Sequence, residues 1–227
     1  MTNFYQSLAE AFNKRPDAPA LILKDRPDWS YGDLIDRVNQ LAQVLLANEV
    51  EPGDRVMVQV DKSPENLALY LATLKVGGVY VPLNTAYTEA ELDYFVTDAQ
   101  PQLFVGAEQR AGVNCLTLNE HGEGSLMQAA KSAASANECE TVSRGDQDLA
   151  AILYTSGTTG RSKGAMLTHR NLSSNARSLS ECWGWRQDDV LLNALPIFHV
   201  HGLFIASHCA LLNLSLIHIS EPTRPLS

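Results

Sequence analysis

The chain has 227 residues, 45% hydrophobic and 19% charged, with a formal net charge of −9. That is enough chain for one large domain or two small ones with a real core. The acidic balance disfavours a nucleic-acid partner, whose footprint is a basic patch, but leaves phosphate ligands open, since backbone N–H groups and one lysine can hold an anion on an acidic protein.

No apolar run reaches the roughly 18 residues of a membrane helix. The opening MTNFYQSLAEAFNKRPD has no apolar signal core or small-residue cleavage site, and Glu10 and Asp17 do not suit a transit peptide. A cytoplasmic protein without a membrane span is expected. Cys115, Cys139, Cys182 and Cys209 are far apart and form no CxxC pair, so neither structural zinc nor a disulfide framework is expected.

Phe4 to Asn13 reads as a short amphipathic helix stopped near Pro16, and ALILK (20–24) as a strand. Asp28 to Tyr31 reads as a turn. Ser30 with Asp33 three residues on is a helix-start signal. Leu34, Val38, Leu41, Leu45 and Leu46 line one face of that helix, which is expected to stop near Pro52-Gly53. RVMVQV (55–60) is a strand. Ser63 before Pro64 and Glu65 is the usual order for a first helical turn. Leu67, Leu71 and Leu74 line the helix that follows, Gly77-Gly78 ends it, and VYVPL (79–83) is a second strand. Strand, helix and strand within about thirty residues make a βαβ unit, hence a parallel sheet covered by helices. A helix from Glu89 to Ala99 and a strand LFVG (103–106) extend it. Residues 119–147 have weak periodicity and give a modest helix, Ser125–Ala136, and a surface loop. Leu149 to Leu153 reads as a buried strand, Asn171 to Cys182 as a helix, VLLNAL (190–195) as a strand and Gly202 to Leu212 as an apolar helix. The fold class is α/β, with parallel-rich sheets flanked by helices in layers.

The stretch YTSGTTGRSKGAMLTH (154–169) separates the last buried strand from the next helix. Gly157, Gly160 and Gly164 let backbone N–H groups converge on an anion. Thr155, Ser156, Thr158 and Thr159 supply hydroxyls, and Lys163 supplies charge without fixed geometry. Composition alone fits a solvated surface loop equally well; the lysine and the preceding buried strand favour phosphate binding. The P-loop pattern fails, because Ser162 precedes Lys163 and Gly164 follows it. The Rossmann GxGxxG is absent, and Tyr154 occupies the glycine position that a nucleophile elbow at Ser156 needs.

YTSGTTGRSKG resembles the signature loop of the adenylate-forming enzymes, which include acyl-CoA synthetases, luciferases and peptide-synthetase adenylation domains. The usual Pro is Ser162 here, and Lys163 is kept. WSYGDL (29–34), GDRVMVQVDKSPENLALYLATLKVGGVYVPLN (53–84), LTHRNL (167–172) and LPIFHVHGL (195–203) resemble further family elements in the same order, so the similarity covers residues 4–213. The pairing of GRSKGAML with ALPIFHVHGLF is most similar to malonyl-CoA synthetases.

This resemblance implies the N-terminal part of the adenylate-forming large domain and a reaction in two halves. ATP and a carboxylate give an acyl-adenylate and pyrophosphate; a thiol, usually coenzyme A, then displaces AMP. The implied ligands are a small carboxylic acid (malonate or another short acid), ATP, Mg²⁺ and CoA, with no obligate protein partner evident. By the same resemblance Thr155, Ser156, Gly157, Thr158, Thr159, Gly160 and Lys163 cradle the β- and γ-phosphates. Lys163 neutralises the leaving pyrophosphate, His199 lies near the acyl carboxylate or the adenylate, and His201 is a weaker substrate contact. His199, Val200, His201 and His208 also suggest a metal site, but no carboxylate or cysteine cluster completes it beyond Cys209. His169 is expected to be a local hydrogen-bond partner, and Trp183 and Trp185 to pack. The distal carboxylate of malonate needs a cation; Arg170, Arg177 and Arg186 do not fit that role.

The family's later motifs are not found: a Tyr/Gly-Thr-Glu segment, a ribose aspartate, a hinge and a small C-terminal domain with a catalytic lysine. LSLIHISEPTRPLS (214–227) does not match the family, which leads to the expectation of a glycine-containing turn into another strand; it has Pro222 and Pro225 and no glycine. The organisation expected is a partial adenylation domain over 1–213, an atypical and non-native tail over 214–227, and no C-terminal domain. Such a chain is expected to be inactive alone and to expose apolar surface. A non-catalytic nucleotide- or partner-binding module and a metal hydrolase are the competing readings.

Overall fold

The computed structural model describes residues 3–133, 139–155 and 161–219. Helix α1 (Phe4–Phe12) is capped by Asn3, whose Oδ1 accepts the N–H of Tyr5, and buries Phe4, Tyr5, Leu8 and Phe12. Strand β1 (Pro19–Ile22) pairs antiparallel with β2 (Trp29–Ser30), so the expected turn at Asp28–Tyr31 contains a short strand. Helix α2 (Tyr31–Ala47) begins on the Ser30–Asp33 capping box. It ends before Pro52-Gly53, because Glu49 adopts φ 59° and the chain folds back with the N–H of Val50 on the carbonyl of Leu45.

Strand β3 (Arg55–Gln59), helix α3 (Pro64–Lys75) and strand β4 (Val79–Pro82) form the βαβ unit. Helix α4 (Glu89–Ala99) carries a Thr88–Glu91 capping box. It is followed by β5 (Leu103–Gly106), β6 (Cys115–Thr117), α5 (Ser125–Ser132), β7 (Leu149–Thr155) and β8 (Lys163–Thr168). The six-stranded sheet runs β6-β5-β3-β4-β7-β8; every neighbouring pair is parallel except β7 and β8. Helix α6 (His169–Cys182), strand β9 (Val190–Asn193), a π-helical segment (His201–Ser207), α7 (His208–Leu212) and β10 (Leu216–Ile219) complete the chain. The apolar helix expected at 202–212 is thus split into π- and α-helical parts. A second sheet runs β2-β1-β10-β9, with β10 parallel to both neighbours. None of the described helices is long and apolar enough to cross a membrane.

The sequence marked one apolar face on α3, yet all twelve of its residues are buried. A helix apolar on every side belongs inside a protein, and α3 is covered by α1, α2 and the six-stranded sheet. Its polar atoms are matched: the Tyr80 hydroxyl donates to Asn66 Oδ1 (2.7 Å), and Tyr70 Oη lies 2.8 Å from His208 Nε2. Glu65 takes both guanidinium nitrogens of Arg26, at 3.0 and 2.8 Å.

The atypical stretch expected from residue 214 begins with ordered structure. Leu214 takes φ 55° without being glycine, the N–H of Ser215 bonds the carbonyl of Ala210 (2.9 Å), and β10 then inserts between β1 and β9. Tyr31 and Trp185 both donate to Ser215, at 2.7 and 2.8 Å. Residues 220–227, which hold Pro222 and Pro225, lie outside the described residues.

His208 is fully buried beside the rings of Phe4 and Phe204, at 4.8 and 5.4 Å. Burial lowers its pKa from 6.5 to about 3; burial, with Arg144 alongside, lowers that of His169 to about 4. Both rings are neutral in the folded protein and take up a proton on unfolding below pH 6.5. Their contribution to stability is therefore full above 6.5 and is lost as the pH falls toward 4 and 3. His208→Gln keeps a polar partner for Tyr70 and removes one titration. Between pH 6 and 4.5 its unfolding free energy, measured by urea denaturation, should fall less steeply than wild type by about 1.4 kcal/mol per pH unit. Equal slopes would contradict this assignment.

Candidate active site

The register of β7 on β8 pairs Tyr154 with Gly164 and Thr155 with Lys163. Thr155 and Lys163 are exposed and face each other at the mouth of the polar loop. Ser156, Gly157, Thr158, Thr159 and Gly160 lie outside the described residues. Lys163 was expected within a loop leading straight to a helix; instead it opens strand β8, and α6 starts only at His169. Gly164 also answers to packing, since a Cβ there would stand 2.8 Å from Ile152 Cγ2.

Helix α4 braces both arms of this hairpin. Tyr94 donates its hydroxyl to the carbonyl of Ser162 (2.9 Å), and the Arg161 guanidinium lies 5.8 Å from the Tyr94 ring. Tyr154 donates to Asp98 Oδ2 (2.6 Å), with the Phe95 ring 4.4 Å away. Burial, and then the Asp98 carboxylate, raise the Tyr154 pKa, which keeps this phenol a donor. The sequence reading missed Tyr94 and Asp98. Their spacing, four residues apart on one helix face, was the available signal.

Thr168 caps α6 in a box with Asn171. His169 follows, buried, and its Nδ1 accepts the N–H of Phe4 (3.1 Å). That bond leaves the ring hydrogen on Nε2, which has no partner among the described residues. His169 is thus a hydrogen-bond partner as expected, but of a residue 165 positions away rather than a local one.

His199 and His201 are exposed. His199 lies in the segment after β9; its N–H reaches the carbonyl of Pro196 (3.3 Å), and its carbonyl accepts the N–H of Leu203 (3.1 Å). His201 opens the π-helical segment, so the two do not alternate on a strand as the metal reading requires, and His208 is buried apart against Tyr70. Among the described residues no group of three His, Cys, Asp or Glu could hold a metal ion. Gly202 in this motif is needed for a close approach, because a Cβ would fall 2.2 Å from the Pro196 carbonyl oxygen. Arg170, Arg177 and Arg186 are exposed, and Arg186 pairs with Asp188. Trp185 packs on the core and Trp183 is exposed.

Lys163 opens β8 of the six-stranded sheet, whereas His199 lies beyond β9 of the four-stranded one, and among the described residues no hydrogen bond joins them. Helix α6 connects their surroundings, packing on both β8 and the π-helical segment. A cleft of about 520 Å³ opens there, lined by Leu167, Asn171, Leu172, Asn175, Val200 and Phe204. The larger cleft, about 690 Å³, opens at the carboxyl ends of β3 and β5 and holds neither residue.

The family described as AMP-binding enzyme matches residues 8–227. ATP-bound MatB from Rhodopseudomonas palustris matches with a TM-score of 0.89 and 46% identity, covering 97% of this chain and 45% of that one. The mitochondrial malonate–CoA ligase ACSF3 of Mus musculus is 36% identical over 197 residues, 80% of this chain and 33% of its own length. Tyrocidine synthase 1 of Brevibacillus parabrevis is 32% identical over 187 residues, 82% of this chain and 16% of its own. The chain thus spans less than half the length of these relatives. With the hairpin, its ordered neighbouring motifs and a match over residues 8–227 in agreement, the chain belongs to the AMP-binding enzymes, the adenylate-forming family that includes the acyl-CoA ligases.

Proposed function

We propose that this chain is part of an ATP-dependent acid–thiol ligase that activates malonate, or another short acid, as its acyl-adenylate and transfers the acyl group to CoA. The observation that carries the reading is the opposition of Thr155 and Lys163 at the mouth of the polar loop, on strands braced by α4. Two malonate–CoA ligases among its relatives, from Mus musculus and Arabidopsis thaliana, are 36% and 31% identical to it and support malonate as the acid.

The first half-reaction forms a bond from carboxylate oxygen to the α-phosphorus and breaks the bond to the pyrophosphate bridging oxygen. Negative charge grows on the leaving pyrophosphate, where a fixed cation is worth most. Lys163 supplies that cation and Thr155 a hydroxyl donor. The paired strands hold both in place before any ligand arrives. His199 offers an exposed imidazole to the acyl carboxylate. In the second half the CoA sulfur attacks the acyl carbon and AMP leaves. Magnesium commonly binds through one or two carboxylates plus substrate phosphates. None of the described residues is assigned to it.

The loop assignment is checked by titrating the purified chain with ATP and following the phosphorus resonances. Weak binding is expected, and Lys163→Ala should weaken it about tenfold, the loss of one charge-assisted contact. Equal affinities in the two proteins would sink the assignment. Incubating the 227-residue chain with malonate, ATP and CoA should give no malonyl-CoA, because the nucleoside contacts and the catalytic lysine of the family were not found in it. Turnover by the purified chain would overturn this part of the reading.

A further inference from the structure

Lys62 lies just beyond the carboxyl end of β3 and immediately before Ser63, the N-cap of α3. Its Nζ crosses to the other sheet, donating to the carbonyls of Asn193 (2.6 Å) and Leu195 (3.4 Å). Asn193 is the last residue of β9, where the chain leaves for Pro196, His199 and Gly202. The same point is fixed from the far side: Asn193 Nδ2 donates to Ser207 Oγ (3.0 Å), which donates to the carbonyl of Gly202 (2.8 Å). Lys24, Asp25, Arg26, Glu120 and His121 line the cleft that Lys62 enters.

We propose that Lys62 is the positioning residue for the segment that carries His199. By fixing the carbonyls of Asn193 and Leu195 from the connection between β3 and α3, it sets where residues 194–200 leave the four-stranded sheet. The importance given to His199 rests on the ligase reading; the clamp itself does not.

The lysine's titration supports the contact. Burial lowers the Lys62 pKa from 10.5 to about 8, with no neighbouring charge among the causes. Loss of one proton leaves an amine with two N–H donors, one for each carbonyl, so the contact survives deprotonation. An opened segment returns Lys62 to water and to its ordinary pKa. Opening therefore takes up a proton between about pH 8 and 10.5, and rising pH favours the closed clamp. From pH 7 to 9 the opening equilibrium should fall about tenfold.

Amide hydrogen exchange by NMR, corrected for intrinsic rates at each pH, reads this without any activity. The amides of Ala194 and His199, bonded to the carbonyls of Leu192 and Pro196, report on the segment; those of Val56 to Gln59 in β3 report on the rest of the fold. Lys62→Met should lower protection at Ala194 and His199 at least tenfold at pH 7 and abolish its rise toward pH 9. The β3 amides should be unchanged, and Lys62→Arg should restore protection. Protection within twofold of wild type in Lys62→Met would overturn the proposal. Should that variant unfold, the wild-type pH series decides, and a flat or falling protection there is equally fatal. Neither result depends on ATP or malonate, so failure of the clamp and failure of the ligase reading are separate outcomes.

Discussion

Everything in this molecule is arranged around a helix that has no solvent face. Helix α3 buries all twelve of its residues, and each fully covered Leu or Tyr side chain contributes on the order of 1.5–3 kcal/mol relative to exposure. Such a helix cannot stand alone; it needs a sheet on one side and other helices on the rest. Its tyrosine hydroxyl has to be matched as well, since an unpaired buried donor costs about 1–3 kcal/mol. His208 matches it from α7, next to the four-stranded sheet. One hydrogen bond therefore ties the elements around the second sheet to the core of the first. Charged residues are admitted on the same terms: Glu65 is paired by Arg26, and the Lys75 ammonium lies 5.4 Å from the Tyr5 ring.

The site is built on an exception within that frame. A parallel connection needs a crossover of a dozen or more residues, which carries the chain to the far end of the next strand. An antiparallel return at the sheet edge instead brings both ends of a short loop to one place. The turn from β7 to β8 is that return, and it sets Thr155 opposite Lys163. Helix α4, apart from the loop in sequence, holds the arms through Tyr94 and Tyr154.

What was legible in the sequence was local. Ser30 with Asp33 and Ser63 before Pro64 gave the starts of α2 and α3, because a cap is decided within four residues. Lys163 and the buried strand before the loop pointed to phosphate for the same reason. Strands β6, β8 and β10 escaped. KGAMLT on β8 buries no regular face, so period-2 alternation is lost. β10 is defined by pairing with strands far away in sequence, as Ile217 with Leu21 shows. Tyr94, Asp98 and Lys62 touch the site only through tertiary contacts; the shared helix face of Tyr94 and Asp98 was a local signal, but it does not say what that face meets, and Lys62 has no such signal.

The bond from the Phe4 amide to His169 also bears on how the protein is made. Helix α1 is translated well before that partner, with Phe4, Tyr5, Leu8 and Phe12 as its apolar side. Its hydrogen-bond partner follows 165 residues later, which at roughly 5–20 residues per second is a delay on the order of 10 s. Strand β1 waits still longer for β10. Until His169 is made, the helices that α1 can close on are α2 and α3, its neighbours from the part of the chain already made. The residue that receives the first helix comes directly after the hairpin, so α1 cannot make this bond until both arms of the hairpin have been translated.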